Sequence, residues 1–245
     1  MSDWPCIRPV GVTGWLVSFG DTLTERANRA ALAFRASLEA ERWAEVAETS
    51  STLASCFVRF DPVTADADAL EARLSALLAA RDWYAAAPPE GRRLWQIPCV
   101  FGGPRAPQLE EAAVQAGLSP DEAVAMLSTA RVRVLTLGFA PGQPYLGTLP
   151  EAWDLPRQTG LTPRVPVGAL VLAIRQFVLF ATSAPTGWRH VGQTAFRGYR
   201  PEAEQPFALR PGDEVVFPVV DEATYLDRCD ADPSGLGGAT SEPLS

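Results

Sequence analysis

No lysine occurs anywhere in the 245 residues; all 21 basic side chains are arginine. That absence removes a Walker-A lysine, a Schiff-base lysine and a lysine general base from the chemistry open to this chain. Histidine is nearly absent too, His190 standing alone. The four cysteines, Cys6, Cys56, Cys99 and Cys229, are far apart and form no CxxC pair, so no metal site is expected. They read as small buried hydrophobes or reduced thiols. No apolar run approaches the roughly 18 to 20 residues of a membrane-spanning helix. The opening MSDWPCIRPVG has neither the basic nor the apolar region of a secretion signal, and a soluble cytoplasmic protein is expected. A net charge of −8 and a pI near 4.8 oppose nucleic-acid binding.

What is present suffices for a real core. At 47% hydrophobic, the chain has material for one large or two modest domains. Trp15–Phe19 reads as a short strand, and Thr22 or Thr24 as the cap of a helix reaching about Glu41. Ala27, Ala31, Phe34 and Leu38 recur there at helical spacing. Ala44–Glu48 reads as a weak strand, Thr52–Phe60 as a stronger one, Ala65–Arg81 as a second amphipathic helix and Arg92–Phe101 as a last strand. This order fits a ferredoxin-like split βαβ layout.

Helices are expected next, at Gln108–Ala116 and at Pro120–Leu127, the latter capped by Ser119 with Asp121 and Glu122 in its first turn. From Val132 the pattern changes to short strands between Gly and Pro turns: Val132–Gly138, Val167–Ile174, Phe177–Thr182 and Glu214–Val220. That spacing reads as a compact β barrel or sandwich. Arg210-Pro-Gly-Asp213 reads as a tight turn into the last strand. The expected organisation is α+β: an α/β domain over residues 1–101, a helical connector over 102–131, a β domain over 132–226 and a disordered tail over 227–245.

The densest pattern lies between Gly138 and Thr194. It begins Gly138-Phe139-Ala-Pro141-Gly142-Gln143-Pro144-Tyr145-Leu146-Gly147 and repeats a Pro-Arg pair seven residues apart, at Pro156-Arg157 and Pro163-Arg164. Val165-Pro166-Val167-Gly168 and Gln176 follow, then Pro185-Thr186-Gly187-Trp188 and Gly192-Gln193-Thr194. This series resembles the KipI/PxpB family, also described as allophanate hydrolase subunit 1 or as half of a carboxyltransferase domain. Members resemble GFxPGFPYLGGL, then two PR pairs, then VPxGSVGIAGxQTGIYPxxSPGGWxxIGRT. The resemblance covers roughly residues 12–220.

The resemblance implies an N-terminal ferredoxin-like α/β domain followed by a cyclophilin-like β barrel. It implies a subunit of an ATP-dependent 5-oxoprolinase, inert alone, working with a larger paralogous PxpC/KipA-like subunit and a third subunit. ATP would be bound through that complex. Two other branches imply an inhibitor of a sensor histidine kinase, or a carboxyltransferase component of a biotin-dependent, urea carboxylase-like enzyme. The chain departs from the family at several positions. Pro104 and Gln108 stand where acids are usual, Leu127 where a histidine is, Gln143 where an aromatic is and Gln193 where an arginine is.

Each candidate residue has a functional reading and a structural one. Arg157 and Arg164 are the best candidates for clamping a carboxylate or phosphate, a turn bringing both to one mouth; otherwise they fasten loops, to backbone carbonyls or Asp154. Tyr145 is an anion donor or a wedge. Gln176 and Thr194 bind a lactam or amide, or satisfy backbone. Trp188 is an anchor or a stacking platform, and Gly187 lets a ligand reach backbone N–H groups. Pro141, Gly142 and Gly168 read as loop shapers. No GxSxG motif accompanies His190, so a triad is not expected.

Overall fold

Thr24 caps the first helix: its Oγ1 accepts from the Ala27 amide at 3.1 Å while its own backbone stays extended. The computed structural model describes residues 4–244, and the chain divides into two units, Met1–Glu90 and Gly91–Ser245. The first runs β1 (Cys6–Val10), β2 (Gly14–Ser18), α1 (Glu25–Glu41), β3 (Val46–Ser51), β4 (Ser55–Phe60) and α2 (Ala67–Ala79). Its strands pair antiparallel in the order β1-β2-β4-β3. Ala27, Ala30, Ala31, Phe34 and Leu38 form one buried stripe of α1, packed with Val17, Val58 and Leu74. Trp83 closes this core, its ring centre 5.1 Å from that of Phe34 in an edge-on arrangement and its indole N–H donating to the Leu78 carbonyl at 2.8 Å.

This sheet corrects an expectation. Its outer strand beside β2 is β1, not Arg92–Phe101. CIRPV carries little strand signal, because Pro9 breaks it and Arg8, Pro9 and Val10 are exposed; an edge strand tolerates both.

The second unit continues β5 (Arg93–Gln96), β6 (Val100–Phe101), α3 (Leu109–Gln115), α4 (Pro120–Thr129), β7 (Val132–Leu137) and β8 (Pro144–Gly147). It ends with β9 (Thr162–Val165), β10 (Ala169–Ala173), β11 (Gln176–Leu179), β12 (Ala184–Thr186), β13 (Arg189–Gln193), β14 (Glu214–Val216), α5 (Glu222–Ala231) and β15 (Thr240–Pro243). Nine of these strands form one mixed sheet in the order β15-β5-β14-β7-β8-β11-β10-β13-β6, curled as a half-barrel, with β9 and β12 as a separate pair. Arg92–Phe101 thus belongs here: β5 runs parallel to β14 and β6 pairs with β13.

Strand β10 explains the layering. All five of its residues, ALVLA, are buried. Leu170 and Leu172 enter a large core with Leu109, Ala123, Leu127 and Phe177, while Ala169, Val171 and Ala173 enter a smaller one with Val165, Val178, Phe180 and Trp188. A strand covered on both faces reads as a continuous apolar run.

Two further expectations are corrected. Residues 102–131 are not a connector, since Leu109, Ala112, Ala113, Ala123 and Leu127 of α3 and α4 are buried in the large core. The expected Ser119 cap on α4 is present and extends to a capping box, with Ser119 Oγ accepting from the Glu122 amide and the Glu122 carboxylate accepting from the Ser119 amide. The tail is not disordered among the described residues. Strand β15 pairs antiparallel with β5, and Asp232 accepts from the amides of Ser234, Gly237 and Gly238. A composition of Gly, Ser and Asp reads as disorder, yet here it builds a turn. Gly237 takes φ +61°, and a Cβ there would sit 2.6 Å from the Ala195 carbonyl carbon.

Candidate functional site

The small core of the second unit is open at one end. Tyr145 on β8 lies opposite Val178 on β11, and Phe180 follows just beyond β11. Trp188 sits one residue before β13, its ring 6.2 Å from that of Tyr145 and nearly perpendicular to it. The loop ahead of β9 brings Arg157, Gln158 and Leu161 to this patch. Together these residues border a cleft of about 310 Å³ whose lip includes the exposed Phe139. That volume is at the small end of the range for small-molecule sites.

Gln158 fastens the loop. Its amide N–H donates to the Gly187 carbonyl at 2.7 Å, and its side-chain Nε2 to the Trp188 carbonyl at 3.1 Å. Its Oε1 accepts from Gln108 Nε2 at 2.7 Å, while Gln108 Oε1 accepts from the His190 amide at 2.8 Å. Position 108 therefore needs a donor and an acceptor at once, which an amide supplies and a carboxylate does not. The departure from the family's acid at Gln108 is built into the loop.

Arg157 faces an aromatic ring rather than a carboxylate. Its guanidinium carbon stands 5.4 Å from the centre of the Trp188 ring, and among the described residues no carboxylate lies within ion-pair distance, Asp154 included. Burial raises the Tyr145 phenol above its usual range, with the Arg157 charge opposing. The cleft thus combines apolar walls, one uncompensated cation and a half-buried hydroxyl.

Tyr145, Arg157, Gly187 and Trp188 of the candidates come together here. Arg164 does not. It lies on β9, which runs extended against β12, and its Nε donates to Ser183 Oγ at 2.7 Å. The expected common mouth for the two arginines is therefore not formed. Thr194 spends its hydroxyl on backbone, donating to the Gly168 carbonyl and accepting from the Phe196 amide. Gln176 is buried on β11 opposite Gly147, away from the cleft lining. Pro141 is exposed beside the loop, and Gly142, with φ +69°, packs against the Gly198 carbonyl.

Gln143 is the informative departure. Where the family has an aromatic, this buried amide lines the cleft; its Oε1 accepts from the Ala181 amide at 3.3 Å, and its Nε2 has no partner among the described residues. Gln158 and Thr186 also line the cleft, and no sequence signal beyond adjacency to Arg157 and Gly187 marked them.

His190 is buried on β13 with Nε2 unpartnered, and burial pushes its pKa below the usual imidazole value, with Gln193 and Gly192 partly opposing. Among the described residues no nucleophile or orienting acid is bonded to it. Pro104 opens a short helical turn, Leu127 is core and Gln193 donates to the Val167 and Thr194 carbonyls. Burial raises the Cys56 thiol to about 12 and raises Cys99 as well, leaving both as packing groups. Among the described residues no group of three or more His, Cys, Asp or Glu side chains is placed to hold a metal ion. No described helix is long and apolar enough to cross a membrane.

Comparison with known proteins adds the following. The family described as "Carboxyltransferase domain, subdomain C and D" matches residues 5–209. The chain is 29% identical over 233 residues to a 5-oxoprolinase subunit of Bacillus subtilis (strain 168), covering 89% of this chain and 94% of that protein. It is 38% identical over 129 residues to the corresponding 5-oxoprolinase subunit of Escherichia coli O157:H7, covering 53% of this chain and 59% of that one. The crystal structure of TTHA0988 is similar with a TM-score of 0.72 and 30% identity, over 88% of this chain but 40% of that one.

Proposed function

The chain belongs to the carboxyltransferase-domain family, subdomains C and D, and from that premise we propose that it is a subunit of a 5-oxoprolinase-like complex. The reaction is the opening of 5-oxo-L-proline to L-glutamate with hydrolysis of ATP. Alignment along nearly the whole length of the Bacillus 5-oxoprolinase subunit carries this reading. The cleft supplies chemistry that suits it.

A 5-oxoproline molecule is a small ring with one carboxylate and one lactam amide. In this reading Arg157 clamps the carboxylate, and Trp188, Val178 and Phe180 pack the ring. Gln143 Nε2 donates to the lactam oxygen, the atom that phosphorylation from ATP activates. Without lysine or a phosphate loop, the nucleotide is held by arginines, backbone donors and the other subunits. Those are a larger paralogous subunit and a third subunit, and the chain alone is inert. Its units serve as a ferredoxin-like and a cyclophilin-like domain of a cytoplasmic assembly. A second reading, a carboxyltransferase component of a biotin-dependent enzyme, is favoured by the family description itself; it requires activity that depends on a biotin carrier.

Calorimetric titration of the assembled complex with 5-oxoproline tests the cleft. Arg157→Ala is expected to weaken binding roughly tenfold or more, the loss of one charge-assisted hydrogen bond pair. Arg157→Lys should fail nearly as badly, because an ammonium cannot fork onto a carboxylate. Unchanged affinity in both variants, in complexes that assemble and melt normally, would leave Arg157 outside the site.

A further inference from the structure

The loop that closes the aromatic cleft also borders a second one, of about 580 Å³ and of different character. Gln108, Glu111, Thr162 and Arg189 line it, and Arg157 and Gln158 are common to both clefts. We infer that this polar cleft is a phosphate-binding site, with Arg189 as its buried cation and Arg157 as its exposed one.

Arg189 carries the inference. It is only 4% exposed, so its charge is withdrawn from water and needs compensation. Nε donates to Glu111 at 3.0 Å and Nη1 to the Pro156 carbonyl at 2.6 Å. Nη2 has no partner among the described residues, and Arg189 lines the polar cleft. The compensation is incomplete in a second way. The Glu111 side chain is 47% exposed, and the oxygen facing Arg189 also accepts from Gln115. A solvated, shared carboxylate offsets a buried guanidinium poorly.

Arg157 adds a second guanidinium without a carboxylate, so two cations meet one anion at this cleft in a chain whose net charge is −8. A planar carboxylate ligand would use one fork. A tetrahedral phosphate has enough oxygens for Arg189 Nη2, the Arg157 fork and the Thr162 hydroxyl together. That hydroxyl donates weakly to Gln108 Oε1 at 3.5 Å and accepts weakly from Gln158 Nε2 at 3.5 Å. The same chemistry accepts free phosphate or the terminal phosphate of a nucleotide.

The test is calorimetric titration of the full chain with inorganic phosphate at low ionic strength, followed by competition with ADP. Saturable phosphate binding is expected. Arg157→Gln should weaken it about tenfold, the loss of one charge-assisted contact. Arg189→Gln should abolish it, but this buried residue also supports the fold. Glu111→Gln therefore provides the decisive variant: it removes the competing negative charge while leaving an amide oxygen to accept from Arg189 Nε, and should strengthen phosphate binding severalfold, a gain that misfolding cannot mimic. Displacement of phosphate by ADP assigns the site to a nucleotide phosphate; its persistence assigns it to the free ion. No saturable binding, or an affinity indifferent to both Arg157→Gln and Glu111→Gln, overturns the inference. Glu111 lines only the polar cleft, and phosphate binding is read without 5-oxoproline turnover, so this outcome is independent of the proposed reaction.

Discussion

Replacing Asp213 by alanine is expected to destabilise the second unit by about 3–5 kcal/mol, the usual cost of breaking a buried ion pair by removing one partner. Its carboxylate is 1% exposed and is surrounded by donors. Arg93 contributes its amide at 2.9 Å and its Nη2 at 2.6 Å; the Trp95 indole N–H lies at 3.2 Å and the Arg210 amide at 3.0 Å. Asp213 thereby joins β5 to the turn that starts β14, the parallel pair near one end of the sheet. Alanine would strand a guanidinium and an indole N–H together. Asp213→Asn keeps the shape and part of the bonding, so roughly half that loss is expected. Chemical denaturation followed by tryptophan fluorescence measures both. A loss below about 1 kcal/mol for Asp213→Ala would show that water replaces the carboxylate without penalty.

The second large effect belongs to Gly168→Ala. Gly168 has φ +79°, and a Cβ built there would lie 2.2 Å from the Thr194 carbonyl oxygen. Its amide donates to Phe180 at 2.8 Å, and its carbonyl accepts from the Thr194 amide at 2.9 Å. It therefore holds the start of β10 between two neighbouring segments. The left-handed backbone alone costs about 1–2 kcal/mol for a residue with a side chain. The backbone overlap adds to this, for an expected loss of about 3 kcal/mol or more. Because Phe180 lines the aromatic cleft, ligand affinity should fall along with stability. Gly160→Ala is the control: a Cβ there meets nothing within 4 Å, and its melting temperature should stay near that of the parent. Equal melting temperatures for the two variants would contradict the close approach at Gly168.

These two residues mark where sequence reasoning reached and where it stopped. Helix starts at Thr24 and Ser119 were legible because a cap is a local contact, readable from a polar residue ahead of a periodic run. Asp213 was legible only as part of a turn, since its partners Arg93 and Trp95 are more than a hundred residues away. Arg92–Phe101 read correctly as extended chain, but nothing in a strand's own residues says which sheet it joins. It pairs with β14 and β13, and the ferredoxin-like order expected from it is filled by β1 instead.

The candidate site divides in the same way. Tyr145, Arg157, Gly187 and Trp188 were singled out through a family pattern, and the cleft gathers those four. Arg164 belongs to the same pattern, but strand pairing between β9 and β12 carries it to Ser183. Gln143 departs from the family pattern without a place legible in the sequence; it supplies a cleft-lining Nε2 without a partner among the described residues. Gln158, Arg189 and Glu111 gave no signal at all. Their importance lies in contacts between segments 50 to 78 residues apart, at Gln108–Gln158 and Glu111–Arg189.

As a working part of the proposed oxoproline-opening complex, this chain should be required for turnover. That requirement is tested by glutamate formation from 5-oxo-L-proline and ATP by the chain co-expressed and co-purified with the proposed larger paralogous subunit and third subunit. The account predicts turnover that requires all three proteins, consumes ATP only when 5-oxoproline is present, and drops roughly tenfold or more with Arg157→Ala. An assembled complex that forms no glutamate, or one that forms it equally well without this chain, would contradict the account.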